Sequence, residues 1–141
     1  MIVYADTSFL FSLYVSDFNS SSAAAIPRLT PPLLITDFGE FEFTNAINWR
    51  VFRKQLRPSE ERALLTTFSK DVEAGTIHIS PLPSATFSRA KQIARAHTPA
   101  LGNRALDVLH VASAVTLGAT IFCTFDKKQA QLATAVGLRL L

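Results

Sequence analysis

Two aspartates of the sequence follow short apolar runs of the kind that form buried strands. Asp6 comes directly after residues 1–5 (MIVYA), and Asp126 comes shortly after residues 120–124 (TIFCT). If both runs are strands of one open α/β sheet, their carboxyl ends meet at the edge where such sheets bind ligands. Aspartate is also a common helix N-cap, which would explain either residue alone. Two aspartates at equivalent strand ends favour a shared site.

A third carboxylate, Asp107, lies in residues 104–117, a predicted helix that is apolar on nearly every side. A buried carboxylate is costly unless it is paired, protonated or bound to a metal, so Asp107 is a candidate for the same site. Two alternatives stay open: an ion pair with Arg104, three residues earlier, or exposure on the first helical turn. His110 could orient the Asp107 carboxylate, but a packed core histidine is the simpler interpretation.

The fourth candidate is one of two glutamates in a long helix predicted from Asp37 to about Arg53. At about 100° per residue, Glu42 lies on the edge of one apolar arc beside Asn45, whereas Glu40 falls on the opposite arc. We therefore expect Glu42 at the site; the alternative is that both glutamates are solvated helix residues. The first arc comprises Phe38, Phe41, Asn45, Trp49 and Phe52, and the second comprises Phe43, Ile47 and Val51.

This helix has two apolar arcs, whereas an outer helix of an α/β domain needs only one for its own core. Large exposed apolar patches usually mark interfaces, so we expect the second arc to be covered. The cover is either a further helix of the same chain, residues 58–73, or a protein partner.

Convergent carboxylates predict a particular chemistry. Three or four of them would repel each other without a cation, and hard divalent cations such as Mg²⁺ or Mn²⁺ prefer oxygen ligands. Such a cation lowers the pKa of a bound water and polarises a phosphate, which favours hydrolysis of phosphodiester bonds. The single Cys123 and the three scattered histidines do not form a zinc-binding pattern.

The basic residues suit an anionic partner. The 141 residues include 14 Lys and Arg against 11 Asp and Glu, so a chain that gathers four acids in one site is clearly basic elsewhere. Phosphate contacts dominate the affinity of proteins for nucleic acid. Ordinary solvated helix faces are the alternative explanation. The candidate RNA contacts are Arg104, Lys127, Lys128, Arg89 and Arg95.

Predicted strands and helices alternate along the chain, which indicates an α/β fold with a parallel sheet covered on both faces. The length and the 48% hydrophobic content fit a single domain spanning residues 1–141. No apolar run is long enough for a membrane span, no basic leader is present, and the lone cysteine suits a reducing cytoplasm. The predicted strands are 1–5, 33–36, 76–79, 120–124 and 138–141; the predicted helices are 16–29, 37–53, 58–75, 84–97, 104–117 and 127–136.

The chain resembles the PIN-domain family, in particular the VapC-like ribonuclease toxins of toxin–antitoxin pairs. The resemblance is carried in order by residues 3–8 (VYADTS), 42–47 (EFTNAI), 104–112 (RALDVLHVA) and 123–126 (CTFD). It implies a three-layer α/β/α fold with a small parallel sheet, and Mg²⁺- or Mn²⁺-dependent cleavage of RNA. By motif, the implied catalytic and metal-binding residues are Asp6, Glu42, Asp107 and Asp126, with Thr7, Ser8 and Thr124 as supporting hydroxyls; Asn45 joins them from the helical pattern.

The resemblance also implies protein partners, namely a cognate antitoxin and a second copy of the chain. Two other functions remain as alternatives. Another metal-dependent phosphoesterase could use Asp6 as a nucleophile, although Ser8 stands where that pattern has a second aspartate. A PIN-like module could bind RNA or protein without cutting, but such modules most often lack one of the acids. The presence of all four favours an active endoribonuclease.

Overall fold

A parallel sheet of five strands forms the centre of the described part of the chain, which comprises residues 1–16, 20–25 and 32–141 of a computed structural model. All neighbouring strands are parallel, and their spatial order is β3-β2-β1-β4-β5. The chain therefore extends the sheet from β1 to one side and later returns to the other side. This places a topological switch point between β1 and β4. The strands are β1 (Val3–Ala5), β2 (Leu33–Thr36), β3 (Ile77–Ser80), β4 (Ile121–Cys123) and β5 (Arg139–Leu140).

Seven helices connect and cover these strands in the same described ranges. Side-chain caps begin three of them: Asp6 accepts a hydrogen bond from the Phe9 amide, Thr36 from the Gly39 amide, and Asp126 from the Gln129 amide. An oxygen at this position satisfies an amide that has no partner within the helix. The helices are α1 (Thr7–Tyr14), α2 (Ser20–Ala25), α3 (Asp37–Phe52), α4 (Pro58–Glu73), α5 (Thr86–Leu101), α6 (Ala105–Thr116) and α7 (Lys127–Ala135).

Alternation along the strands divides the core into two layers. In β1, Val3 and Ala5 belong to a cluster with α1, α3 and α4, whereas Tyr4 belongs to a cluster with α5, α6 and α7. Successive side chains of a strand point to opposite faces, so both faces of the sheet are buried under helices. This is the predicted three-layer α/β/α arrangement, and the fold prediction is confirmed.

The long helix α3 uses one of its two apolar arcs for the core. Phe43 and Ile47 are fully buried, and the Phe43 ring lies 5.1 Å from that of Phe68 in α4. The opposite arc is exposed, with Trp49 57% and Phe52 73% accessible. Helix α4 thus packs against the buried arc; of the other arc, Phe38 packs against His110, and Phe41, Trp49 and Phe52 are left exposed by the described residues.

Some predicted boundaries are wrong. Helix α1 was not predicted, because only Asp6 separates it from β1 and the short segment is mostly apolar. The predicted helix 16–29 overlaps α2; Ser16 lies outside the helix, and residues 17–19 and 26–29 lie outside the described residues. Helix α5 continues through Pro99 and ends at Gly102, whose φ of 66° is the left-handed conformation typical of a helix end. No helix in the described ranges has both the length and the apolar character needed to cross a membrane.

Candidate active site

A cavity of about 490 Å³ opens beside the carboxyl ends of β1 and β4, at the switch point of the sheet. All four predicted carboxylates line it, although each comes from a different part of the fold. Asp6 joins β1 to α1, Glu42 lies in α3, Asp107 is in the first turn of α6, and Asp126 precedes α7. We call this cavity the acidic pocket. Its other lining residues are Thr7, Ser8, Asn45, Ala46, Trp49, Leu106 and Gln129.

Asp6 is the most buried of the four, with 1% of its surface accessible. One carboxylate oxygen accepts hydrogen bonds from the Ser8 hydroxyl at 2.7 Å and the Phe9 amide at 2.9 Å; the other accepts one from the Thr124 hydroxyl. Burial raises the pKa of Asp6 above its usual range, and these hydrogen bonds, with the nearby His110, oppose the shift. Three hydrogen bonds therefore hold Asp6 in a buried position that destabilises its ionised form.

Two hydroxyl groups connect the ends of β1 and β4. Thr124 donates to Asp6 and accepts from the Asp126 amide at 2.9 Å. Ser8 donates to Asp6 and accepts from the Phe125 amide at 3.0 Å. Each hydroxyl uses both its donor and its acceptor capacity, so the two aspartates are held relative to each other by a short network.

Glu42 is held by a different set of partners. Its Oε1 atom accepts hydrogen bonds from the Thr7 hydroxyl and from Nε2 of His110, the latter at 2.6 Å. The other ring nitrogen of His110 lies 2.9 Å from the Tyr4 hydroxyl in the core. Burial alone would raise the pKa of Glu42, but the hydrogen bonds from His110 and Thr7 outweigh it and hold that pKa below its usual range. Glu42 is thus an ionised carboxylate with one oxygen committed to the protein.

The neighbouring Glu40 does not line the acidic pocket, whereas Glu42 does. The structure therefore brings to the pocket the glutamate that the helical pattern favours. Asn45, one turn along α3, also lines the pocket, and its side chain is exposed.

Asp107 has neither of the partners considered from the sequence. No ion pair with Arg104 forms in the described part of the chain, and His110 contacts Glu42 instead. The Asp107 carboxylate is half-buried and accepts a hydrogen bond from the Gln129 side chain at 2.9 Å. The Gln129 backbone amide donates to Asp126 at the same distance. Gln129 therefore connects the third and fourth carboxylates.

The chemistry of these donors suits a hard cation. Within the described ranges, no Lys or Arg side chain forms an ion pair with any of the four carboxylates, and His110 is the one basic side chain in contact with them, at Glu42. No three His, Cys, Asp or Glu side chains of those ranges form a ready-made metal site. Mg²⁺ in proteins is often bound by one or two carboxylates and keeps several waters, so the pocket fits such an ion without a closed cage.

The candidate RNA contacts separate into two places. Arg104, Lys127 and Lys128 are exposed, and each lies within three residues of Asp107 or Asp126. Arg89 lies instead beside Val115, about 12 Å along α6 from Asp107. Arg95 is exposed on the same helix as Arg89. The first group therefore adjoins pocket residues along the chain without lining the pocket, and Arg89 lies away from it.

Sequence reasoning missed three residues that hold the carboxylates: Tyr4, His110 in its contact with Glu42, and Gln129. The only signal for His110 was a polar residue in an otherwise apolar helix, where it is 1% accessible. A buried polar side chain of this kind needs a hydrogen-bond partner, but the sequence around it does not indicate which residue that partner is.

A family model described as the PIN domain matches residues 3–135. The chain belongs to the PIN domain family. This membership agrees with the sheet, the switch point and the position of the pocket. Among curated proteins, no sequence matches significantly.

Solved structures with the same fold cover nearly the whole chain at low identity. VapC20 of Mycobacterium tuberculosis, a sarcin–ricin-loop-cleaving toxin, has a TM-score of 0.70 and 16% identity over 96% of this chain and 95% of its own. FitAcB of Neisseria gonorrhoeae has a TM-score of 0.70 and 15% identity, covering 99% and 96%. VapBC2 of Rickettsia felis, bound to a promoter DNA fragment, has a TM-score of 0.69 and 14% identity, covering 100% and 98%.

Proposed function

We propose that this PIN-domain protein is a metal-dependent endoribonuclease and the toxin of a toxin–antitoxin pair. The observation that carries the proposal is the gathering of Asp6, Glu42, Asp107 and Asp126 around one pocket at the switch point of a PIN fold. In the described residues no Lys or Arg side chain pairs with them, and the one basic side chain in contact is His110, at Glu42. A divalent cation would balance the negative charge of these carboxylates and could act on a phosphodiester bond placed beside it.

The four carboxylates are the proposed ligands of Mg²⁺ or Mn²⁺. When bound, the ion would supply charge neutralisation at the phosphate and a lower pKa for an attacking water. Asp6 offers a rigid oxygen set, because Ser8 and Thr124 fix it. Glu42 retains Oε2, since Oε1 is occupied by Thr7 and His110.

Polar and basic residues near the carboxylates are suited to contacts with the RNA backbone. Arg104, Lys127 and Lys128 are exposed beside the pocket and are suited to contacts with phosphate groups. Asn45 lines the pocket with an exposed amide that can donate to a phosphate or sugar oxygen. These residues would hold the backbone in register, while the carboxylates act at one bond.

The proposed partners follow from the family and its structural neighbours. VapC20 is described as a toxin that cleaves the sarcin–ricin loop, and VapBC2 was solved on DNA from its own promoter. By analogy, we expect a cognate antitoxin and a homodimer for this chain. The exposed arc of α3, which includes Phe41 and Phe52, offers apolar surface for such contacts.

The first prediction tests the site through its most buried member. Asp6→Asn keeps the shape of the side chain and removes one negative charge, so we expect RNA cleavage with Mg²⁺ or Mn²⁺ to fall by about 100-fold or more, as with other essential groups of hydrolytic sites. The measurement is the single-turnover cleavage rate of a mixed RNA pool. Glu40→Gln, outside the pocket, is the matched control and should keep the parental rate.

Cleavage by Asp6→Asn at the parental rate would contradict the assignment of the site. A parent protein that binds RNA but leaves it intact with either metal would instead support a non-catalytic binding module. Circular dichroism and thermal unfolding of both variants exclude loss of the fold as the cause.

A further inference from the structure

A second cavity, of about 520 Å³, lies next to the acidic pocket and shares part of its wall. Phe11 and its neighbours in α1 form one side, and Trp49 and Arg50 of α3 form the other. Phe125 contributes a third aromatic side chain. Trp49 and Asp126 line both cavities. We call this second cavity the aromatic groove; it continues directly from the proposed catalytic carboxylates.

Trp49 presents an aromatic surface at the junction of the two cavities. Trp49 is 57% exposed, and the ring of Phe52 stacks against it at 5.1 Å with an interplanar angle of 25°. An exposed aromatic ring is the type of surface on which unpaired bases stack in single-stranded nucleic acid complexes.

Arg50 adds an available positive charge to the same groove. Its guanidinium lies 4.9 Å from the ring centroid of Phe11, which holds it against the wall. Among the described residues no carboxylate lies within ion-pair distance of it. A half-buried guanidinium without an acidic partner is well suited to a phosphate group.

We propose that the aromatic groove binds an unpaired nucleotide of the RNA next to the bond that is cut, with its base stacked on Trp49 and a phosphate at Arg50. The proposal rests on the proposed endoribonuclease function and narrows its substrate to RNA that is single-stranded at this position. A base in a regular helix is covered on both faces by its neighbours and cannot stack on a protein ring. The charge of Arg50 and the continuity with the acidic pocket favour a nucleotide over an apolar protein segment.

The test uses Trp49 as its own reporter, because it is the only tryptophan of the protein. An eight-nucleotide single-stranded RNA of mixed sequence is titrated into the protein in EDTA, and a gel verifies that the RNA stays intact. Stacking of a base should quench Trp49 emission. The same RNA annealed to its complement should quench it far less at equal concentration.

Variants then measure the contribution of the ring. Base stacking on an aromatic side chain is worth about 1–3 kcal/mol, so Trp49→Ala should weaken binding of labelled RNA, followed by anisotropy, by about fivefold or more. Trp49→Phe keeps an aromatic face and should recover part of the loss. Phe41→Ala is the matched control, since Phe41 is 68% exposed on the same helix but lines neither cavity.

Several results would overturn the proposal. One is RNA binding with no change in Trp49 emission; another is equal RNA affinity of Trp49→Ala and Phe41→Ala. Emission that changes with protein concentration but not with RNA would assign the groove to contacts between copies of the chain, and a response only to a partner protein would assign it to that protein.

Cleavage assays with Mg²⁺ or Mn²⁺ separate this proposal from the proposed function. Cleavage without quenching contradicts only the stacking site. Quenching without cleavage contradicts only the nuclease activity, and an absence of any RNA binding contradicts both.

Discussion

Single residues of the site are defined by the groups that hold them. Glu42 is the clearest case, because His110 approaches its Oε1 atom at 2.6 Å while Tyr4 lies against the other ring nitrogen. The series of hydrogen bonds from Tyr4 through His110 to Glu42 thus runs from the core of the sheet to the pocket. We infer that His110 is a positioning residue, which acts on the reaction only through the orientation of Glu42.

The prediction for His110 is a double-mutant cycle. His110→Ala should lower the single-turnover cleavage rate by about 10- to 100-fold, the usual effect of removing a group that orients a metal ligand. In a Glu42→Gln background the same change should have little further effect, because the carboxylate that His110 orients is already gone. His110→Gln keeps an amide donor and should retain more activity than His110→Ala.

Losses that simply multiply in the double variant would mean that His110 acts independently of Glu42. Mn²⁺ affinity provides a second readout that does not depend on RNA. It is measured by calorimetry on the four proteins of the cycle: the parent, the two single variants and the double variant. A purely structural role would lower the thermal stability of all His110 variants without this pattern.

At the scale of elements, α3 contributes to the core, the acidic pocket and the aromatic groove from different faces of one helix. Phe43 and Ile47 point into the sheet, Glu42 and Asn45 reach the acidic pocket, and Trp49 lines both cavities. The orientation of the helix about its axis therefore determines all three. Burial of the Phe43 arc against α4 is what fixes this orientation.

Two phenylalanines of α3, two residues apart, should differ sharply in their effect on stability. Phe43→Ala removes a fully buried ring that packs against Tyr14 and Phe68, so we expect a loss of about 3–5 kcal/mol in the free energy of unfolding. Phe41→Ala changes an exposed side chain and should cost about 0.5 kcal/mol or less. Urea unfolding of both variants measures the difference; similar losses would contradict the assignment of the two arcs.

Much of this architecture could be predicted from the sequence. The alternating strands and helices gave the sheet, and strand ends alone brought Asp6 and Asp126 to one edge. Helical periodicity separated Glu42 from Glu40. Helix α1 was not predicted, because only Asp6 separates it from β1 and no loop signal marks its start. The His110–Glu42 contact joins α6 to α3 across 68 residues, and no local spacing indicates such a pair.

The position of Arg89 is an example of what depends on tertiary packing. Helix α5 runs past α6 so that Arg89 lies near Val115, at the end of α6 opposite to Asp107. The sequence shows that the residue is basic and faces solvent, but the relative direction of two helices is decided by their packing. Arg104, Lys127 and Lys128 depend less on packing, because they adjoin pocket residues in the chain itself; their contact with RNA stays a prediction.

For the whole molecule, this separation predicts which basic residues determine the salt dependence of RNA binding. Replacing both Lys127 and Lys128 by Glu should weaken binding and reduce the slope of log affinity against log salt by about 1.4 units, because each phosphate contact in single-stranded RNA contributes about 0.7. The matched change, Arg89→Glu with Arg95→Glu, alters the net charge of the protein by the same amount. It should leave most of the salt slope intact. An equal reduction in both variants would place the RNA path across α5 as well.

The position of β1 in the middle of the sheet has a consequence for the order in which the protein folds. β1 pairs with β2 on one side and with β4 on the other, and Asp6 after β1 is 120 residues from Asp126 after β4. Pairing between such distant segments closes a long loop and is therefore slow compared with the formation of local contacts. We expect the two aspartates to meet only when β4 docks on β1, so a chain cut before β4 keeps Asp6 and Glu42 but cannot assemble the pocket.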